Sequence, residues 1–78
     1  YIYKEISFAS PSGSGRIDML ALGEDKAVVI DYKSGHRADT LYKKQIERYK
    51  RGIEEITGLR CEGYLIYFVG GELFVEGV

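Results

Sequence analysis

The stretch 15–35, GRIDMLALGEDKAVVIDYKSG, decides the fold, because two apolar strand-forming runs flank a short polar turn and each carries a carboxylate where a hydrophobe is expected. The turn centres on Gly23-Glu24-Asp25-Lys26. A loop of two or of four residues gives the same antiparallel register, with Leu22 facing Ala27 and Asp18 facing Asp31. Side chains alternate along a strand, so Asp18, Asp31 and Lys33 fall on one face, and Ile17, Met19, Val28, Ile30 and Tyr32 on the other. Opposed Cβ atoms lie about 4.5–5.5 Å apart, a spacing at which like charges repel unless something positive lies between them. A hard divalent cation such as Mg²⁺ or Mn²⁺ supplies that charge, using one or two carboxylates and keeping positions for water and phosphate. Lys33, about 7 Å along the strand from Asp31, is placed to orient or deprotonate a coordinated water, or to neutralise a phosphate. The plainer reading of the same residues is a solvated sheet face, since Asp-x-Lys alone arises by chance in many chains.

Outward from this hairpin, 1–8, YIYKEISF, alternates as a first strand, with Ile2, Ile6 and Phe8 on an inner side that Lys4 interrupts. Glu5 joins the acidic site if this strand lies beside 15–22, and is otherwise an exposed strand glutamate. The stretch 9–14, ASPSGS, has loop composition and closes the connection. Ser34-Gly35 ends the hairpin's second strand. A helix follows, with Asp39 or Thr40 as N-cap and Tyr42, Gln45, Ile46, Tyr49, Ile53 and Ile56 recurring on one face. Thr57-Gly58-Leu59 reads as its stop. Gly52 within the helix costs about 1 kcal/mol against Ala and implies close backbone packing. The opposite face is charged and solvated. Gln45 is the polar member of the inner stripe. Either a backbone carbonyl satisfies it at the stripe's edge, or it and Tyr49, one turn on, point together at the acidic site. The apolar run 62–69 reads as a central strand parallel to 27–33, and Gly70-Gly71 as a hairpin turn into a last strand.

The totals bound the function. A chain of 78 residues with 45% hydrophobic composition is one small globular domain, and its start at Tyr1 with a strand already under way reads as part of a longer protein. The formal net charge of −1 gives no global basic footprint for nucleic acid. A single cysteine, Cys61, excludes a disulfide framework or cysteine-based metal cluster within these residues and fits a reducing, cytoplasmic setting. His36, the one histidine, makes a His/Cys zinc site improbable, though a loop histidine beside the acids could touch substrate. The longest apolar run, Tyr64 to Val69, is far short of the ~18 residues of a membrane span, so no membrane role is expected.

Taken in order, Gly15-x-x-Asp18, a turn, an apolar strand ending Asp31-x-Lys33, and a helix carrying Gln45-x-x-x-Tyr49 resembles the PD-(D/E)XK nuclease superfamily. Within it the chain looks like the RecB or AddAB type of nuclease domain, including the IDYKSG phrasing at 30–35 and the Tyr42-x-x-Gln45 lead-in. The resemblance implies a restriction-endonuclease-like α/β core over 1–78, a mixed sheet of about five strands with one long helix on it. It implies Mg²⁺ or Mn²⁺ held by Asp18, Asp31 and the main-chain carbonyl of Tyr32, with Lys33 acting on the hydrolytic water and Gln45 and Tyr49 supporting the site and the DNA strand. The implied activity is phosphodiester hydrolysis by an exonuclease module of a helicase-associated DNA repair or recombination protein, whose partners are DNA and a helicase domain or subunit. Relatives of this type carry an upstream helix with a further acidic or His ligand, and some carry four cysteines for an iron–sulfur cluster. Neither is present here, so the 78 residues alone are expected to be weakly active or inactive. The competing readings are a catalytically silent domain of the same fold that binds DNA or protein, and a small α/β interaction domain whose acids are surface decoration or whose helix face binds a partner.

Overall fold

The computed structural model describes residues 1–34 and 40–78. Gly35, the cap candidate Asp39 and His36 lie outside the described residues. Strands β1 (Ile2–Ser10), β2 (Gly13–Leu22) and β3 (Lys26–Ser34) form an antiparallel meander, helix α1 (Thr40–Thr57) follows, and β4 (Arg60–Val69) and β5 (Glu72–Gly77) complete the chain. The five strands lie in sequence order in one sheet, β4 parallel to β3 and every other pair antiparallel. This is the mixed sheet with one covering helix read from the sequence, an α/β fold consistent with a restriction-endonuclease-like core.

The β2–β3 register is the one the turn dictates, with Leu22 opposite Ala27 and Met19 opposite Ile30. Helix α1 lies on one face of the sheet, its Ile46, Tyr49 and Ile53 buried with Ile17, Leu20, Ala27, Val29, Leu65 and Tyr67. Burying a side chain such as Ile46 completely contributes about 1.5–3 kcal/mol, and this one cluster supplies most of what such a small domain can gather. At the far hairpin Gly70 and Gly71 both have positive φ, +59° and +80°, which the tight turn into β5 requires. The helix stops at Gly58, whose N–H donates to Glu54 O at 2.8 Å, and Leu59 packs back on the core.

Three expectations about facing need correction. Ile17 is not on the face of Met19 and Tyr32; it is fully buried under the helix together with Leu20. Residues 13 and 15 also face the helix, so β2 changes facing between Ile17 and Leu20, next to Glu5 of β1, which has φ +52°. The alternation therefore breaks at Asp18-Met19. Ile2 is 67% exposed because it pairs with Ala21 on the open face, its neighbour Tyr3 being the one opposite the helix-side Leu20, and Ile56 is 52% exposed.

Gly52 behaves as the sequence implies, since a Cβ there would overlap the Phe8 ring and approach Ser10 Oγ at 3.1 Å. Gly52→Ala gains about 1 kcal/mol of helix propensity and loses about 1–3 kcal/mol to overpacking. The expected result is a net loss of stability in a urea titration, although alanine is the better helix former.

Candidate metal and phosphate site

The break in β2 places the first carboxylate. Pairing between β2 and β3 runs from Leu22 opposite Ala27 to Met19 opposite Ile30, and one residue further the Asp18 side chain replaces the main-chain partner, its Oδ2 accepting from the Tyr32 N–H at 2.9 Å. In an extended strand a residue's N–H and C=O point the same way, so the Tyr32 carbonyl is directed at the edge that Asp18 occupies. The Tyr32 side chain lies on the opposite, open face, 49% exposed.

Asp31 is the one buried charged side chain among the described residues, 4% exposed at the end of a strand whose preceding helix-facing positions are Ala27 and Val29. Its buried Oδ2 lies 2.7 Å from Lys33 Nζ, a close ion pair. Lys33 is fixed from three sides, by Asp31, by Gln45 Oε1 at 3.0 Å and by the Tyr42 ring, whose centroid lies 4.6 Å from Nζ. Gln45 Nε2 in turn donates to Tyr49 Oη at 2.9 Å. The polar residue in the helix stripe is thus satisfied by side chains of the site, and its two functional groups join Tyr49 to Lys33.

Tyr49 is buried with its ring edge-on to Phe8, centroids 5.5 Å apart at 86°, and the same ring fills the space where a side chain at Gly15 would be. Gly15, three residues before Asp18, is what lets the helix close on this strand. Asp18, Asp31, Lys33, Gln45 and Tyr49 are all brought together. Sequence reasoning passed over Arg16, whose charge acts on Asp18 and whose guanidinium pairs with Glu5 at 3.2 Å, and the role of Tyr42 as a platform for Lys33. The signal was present in both cases, as a cation beside the acid in Gly15-Arg16-Ile17-Asp18 and as an aromatic one turn before Gln45. Glu5 lines the same exposed groove as Asp18 and Tyr32, but is engaged by Arg16.

The electrostatics divide the two acids. Burial pushes Asp31 up to about 6, helped by Asp18 and opposed by Lys33. Burial also acts upward on Asp18, but the hydrogen bond from Asp31, the Tyr32 N–H and the charges of Lys33 and Arg16 outweigh it and hold Asp18 below its ordinary value. Lys33, despite its own burial, is held above its ordinary value by Asp31. Below pH about 6 the pair therefore shares one proton, mainly on Asp31. The folded state then binds more protons than the unfolded one between pH 3.8 and about 6, so Asp31 contributes stability that is lost as pH rises through about 6. In chelator, the chain is expected to melt at higher temperature at pH 5 than at pH 7, a difference on the order of 1–2 kcal/mol that Asp31→Asn removes.

Two adjoining carboxylates, one of them buried, beside the Tyr32 carbonyl form an oxygen donor set of the kind that suits a hard divalent cation. Among the described residues no group of three or more His, Cys, Asp or Glu side chains is placed to hold a metal. Among the same residues no helix is long and apolar enough to cross a membrane.

No family model matches the chain. It is similar to an ATP-dependent helicase/nuclease subunit of Carboxydothermus hydrogenoformans (strain ATCC BAA-161 / DSM 6008 / Z-2901), 37% identical over 65 residues, which cover 74% of this chain and 6% of that protein. The chain thus spans a small part of the relative's length.

Proposed function

We propose that this domain is the hydrolytic module of a helicase-associated nuclease, with Asp18, Asp31 and the Tyr32 carbonyl as ligands for Mg²⁺ or Mn²⁺ and Lys33 as the cation that meets the scissile phosphate. The observation that carries the reading is a pair of adjoining acids, Asp31 at 4% exposed beside Asp18, with Lys33 against the buried one at 2.7 Å. Setting a second acid beside a buried one pushes Asp31 up to about 6 and costs stability, which a purely structural site has no reason to keep. The similarity to a helicase/nuclease protein supports the same class of activity.

When bound, the divalent cation would supply Lewis acidity toward water and a phosphodiester oxygen. The chain's own residues do the rest. Lys33 keeps its proton, because Asp31 and the Tyr42 ring stabilise its charge, and so stabilises the negative charge that develops on the phosphate. Gln45, anchored by Tyr49, holds Nζ in place beside Asp31. Asp18, the more readily ionised acid, retains its charge when Asp31 takes up a proton. The test is degradation of linear DNA by the protein that carries this domain. Cleavage in Mg²⁺ or Mn²⁺ that chelator and Asp18→Ala each remove is expected, and cleavage that survives Asp18→Ala would overturn the reading.

A further inference from the structure

The sheet creases where the first carboxylate stands. Pairing between β1 and β2 sets Lys4 opposite Met19 and Ile6 opposite Ile17, and skips the two residues between, Glu5 and Asp18. On one side of the skip the helix-facing pair is Ile6 and Ile17, and on the other it is Leu20 with Tyr3 opposite. In each strand these residues are three apart, so both strands change facing at the same level. A regular strand does not do this, because a period of two puts residues three apart on opposite faces. In β1 the change is made at Glu5, whose φ of +52° is the one positive value outside glycine among the described residues. A residue with a Cβ adopts that left-handed conformation only at a cost. The side chain returns little of it, since its 3.2 Å ion pair with Arg16 joins two exposed side chains.

Strain at one point of a strand persists only where the surroundings hold it, and what this point delivers is Asp18. At the crease β2 stops pairing with β3, and Asp18 Oδ2 takes the Tyr32 N–H at 2.9 Å in place of a ladder partner. We propose that Glu5 is a positioning residue for Asp18: through its left-handed backbone β1 follows the crease of β2, which holds the Asp18 carboxylate on the Tyr32 N–H beside Asp31. The backbone of Glu5 does this, and its carboxylate takes no part. That the position serves a metal rests on the reading of the Asp18–Asp31 site given above, whereas the hold on the Tyr32 N–H is independent of it.

The experiment follows amide hydrogen exchange of the full chain by NMR in chelator, with Mn²⁺ titration of the same proteins by calorimetry. Glycine reaches this backbone conformation freely, glutamine keeps the wild-type Cβ without the charge, and valine fits it worst. In Glu5→Val the Tyr32 amide should exchange about tenfold faster or more, as in Asp18→Ala, with a smaller change at the Leu65 amide of β4, and Mn²⁺ should bind about tenfold more weakly. Glu5→Gly should keep both the Tyr32 protection and the Mn²⁺ affinity and melt roughly 4 °C higher. Glu5→Gln should match the wild type throughout. A residue that mattered only for stability would move the Tyr32 and Leu65 amides by one common factor and leave the Mn²⁺ affinity of the folded chain unchanged, and that result would overturn the proposal. So would wild-type Tyr32 protection in Glu5→Val, lost protection in Glu5→Gly, or weakened Mn²⁺ binding in Glu5→Gln. If Glu5→Val does not fold, Glu5→Gly decides, and a melting temperature equal to or below that of the wild type overturns the proposal. Absence of Mn²⁺ binding by the wild type with the exchange results as expected would instead overturn the metal reading and leave Glu5 as the residue that positions Asp18.

Discussion

Replacing Asp31 with asparagine is expected to reduce metal-dependent DNA cleavage by about a thousandfold or more, while raising the melting temperature of the metal-free chain at pH 7. The opposite signs are the point. The pKa of Asp31, pushed up to about 6, already includes the attraction of Lys33, so the folded environment as a whole disfavours the ionised acid. Asparagine keeps the shape and removes the charge. Lys33 loses one partner but keeps Gln45 Oε1 and the Tyr42 ring. A gain of about 1 kcal/mol is worth roughly 4–8 °C in a domain of this size, which a thermal melt in chelator resolves. A carboxylate kept for packing would give a loss of both stability and activity. One kept for chemistry loses only the second.

Gly15→Val is expected to cost about 1–3 kcal/mol or more and to disable the site with it. Valine is the better strand former, so local preference alone predicts the opposite sign. A Cβ at residue 15 would overlap the Tyr49 ring, and that ring cannot move aside cheaply, since Phe8 stands against it and the residue is buried in the core. Moving it draws Tyr49 Oη away from Gln45 Nε2, and Gln45 then holds Lys33 less firmly. Chemical denaturation gives the stability loss. A cleavage assay on the fraction that remains folded gives the second effect, and normal activity there would show that the Tyr49–Gln45–Lys33 chain does not position the lysine.

The two motifs that look separate in the sequence are thus one device. The glycine of Gly15-x-x-Asp18 receives the tyrosine of Gln45-x-x-x-Tyr49, and the glutamine between them reaches the lysine beside Asp31. The elements were legible because the turn chemistry at 23–26 and at 70–71 leaves one register each, and because the apolar stripe of α1 is nearly continuous. The proximity of Asp18 to Asp31 was legible for the same reason. What strict alternation could not deliver is the facing of Ile17. A change of facing in the middle of β2 shows in the sequence only as two apolar residues three apart, Ile17 and Leu20, which a period of two assigns to opposite faces. The positive φ of Glu5 on the neighbouring strand has no sequence signature at all, since glutamate rarely adopts it. The change of facing leaves Asp18 beyond the last residues of β2 paired to β3, free to take the Tyr32 N–H and to stand beside Asp31.

The measurement that bears most directly on the site is a calorimetric Mn²⁺ titration of the wild-type chain and of Asp31→Ala at a pH above 6, where both acids are ionised. Saturable binding by the wild type that disappears in the variant is the predicted result. Equal binding by the two proteins, or none by the wild type, would contradict a cation held between Asp18 and Asp31.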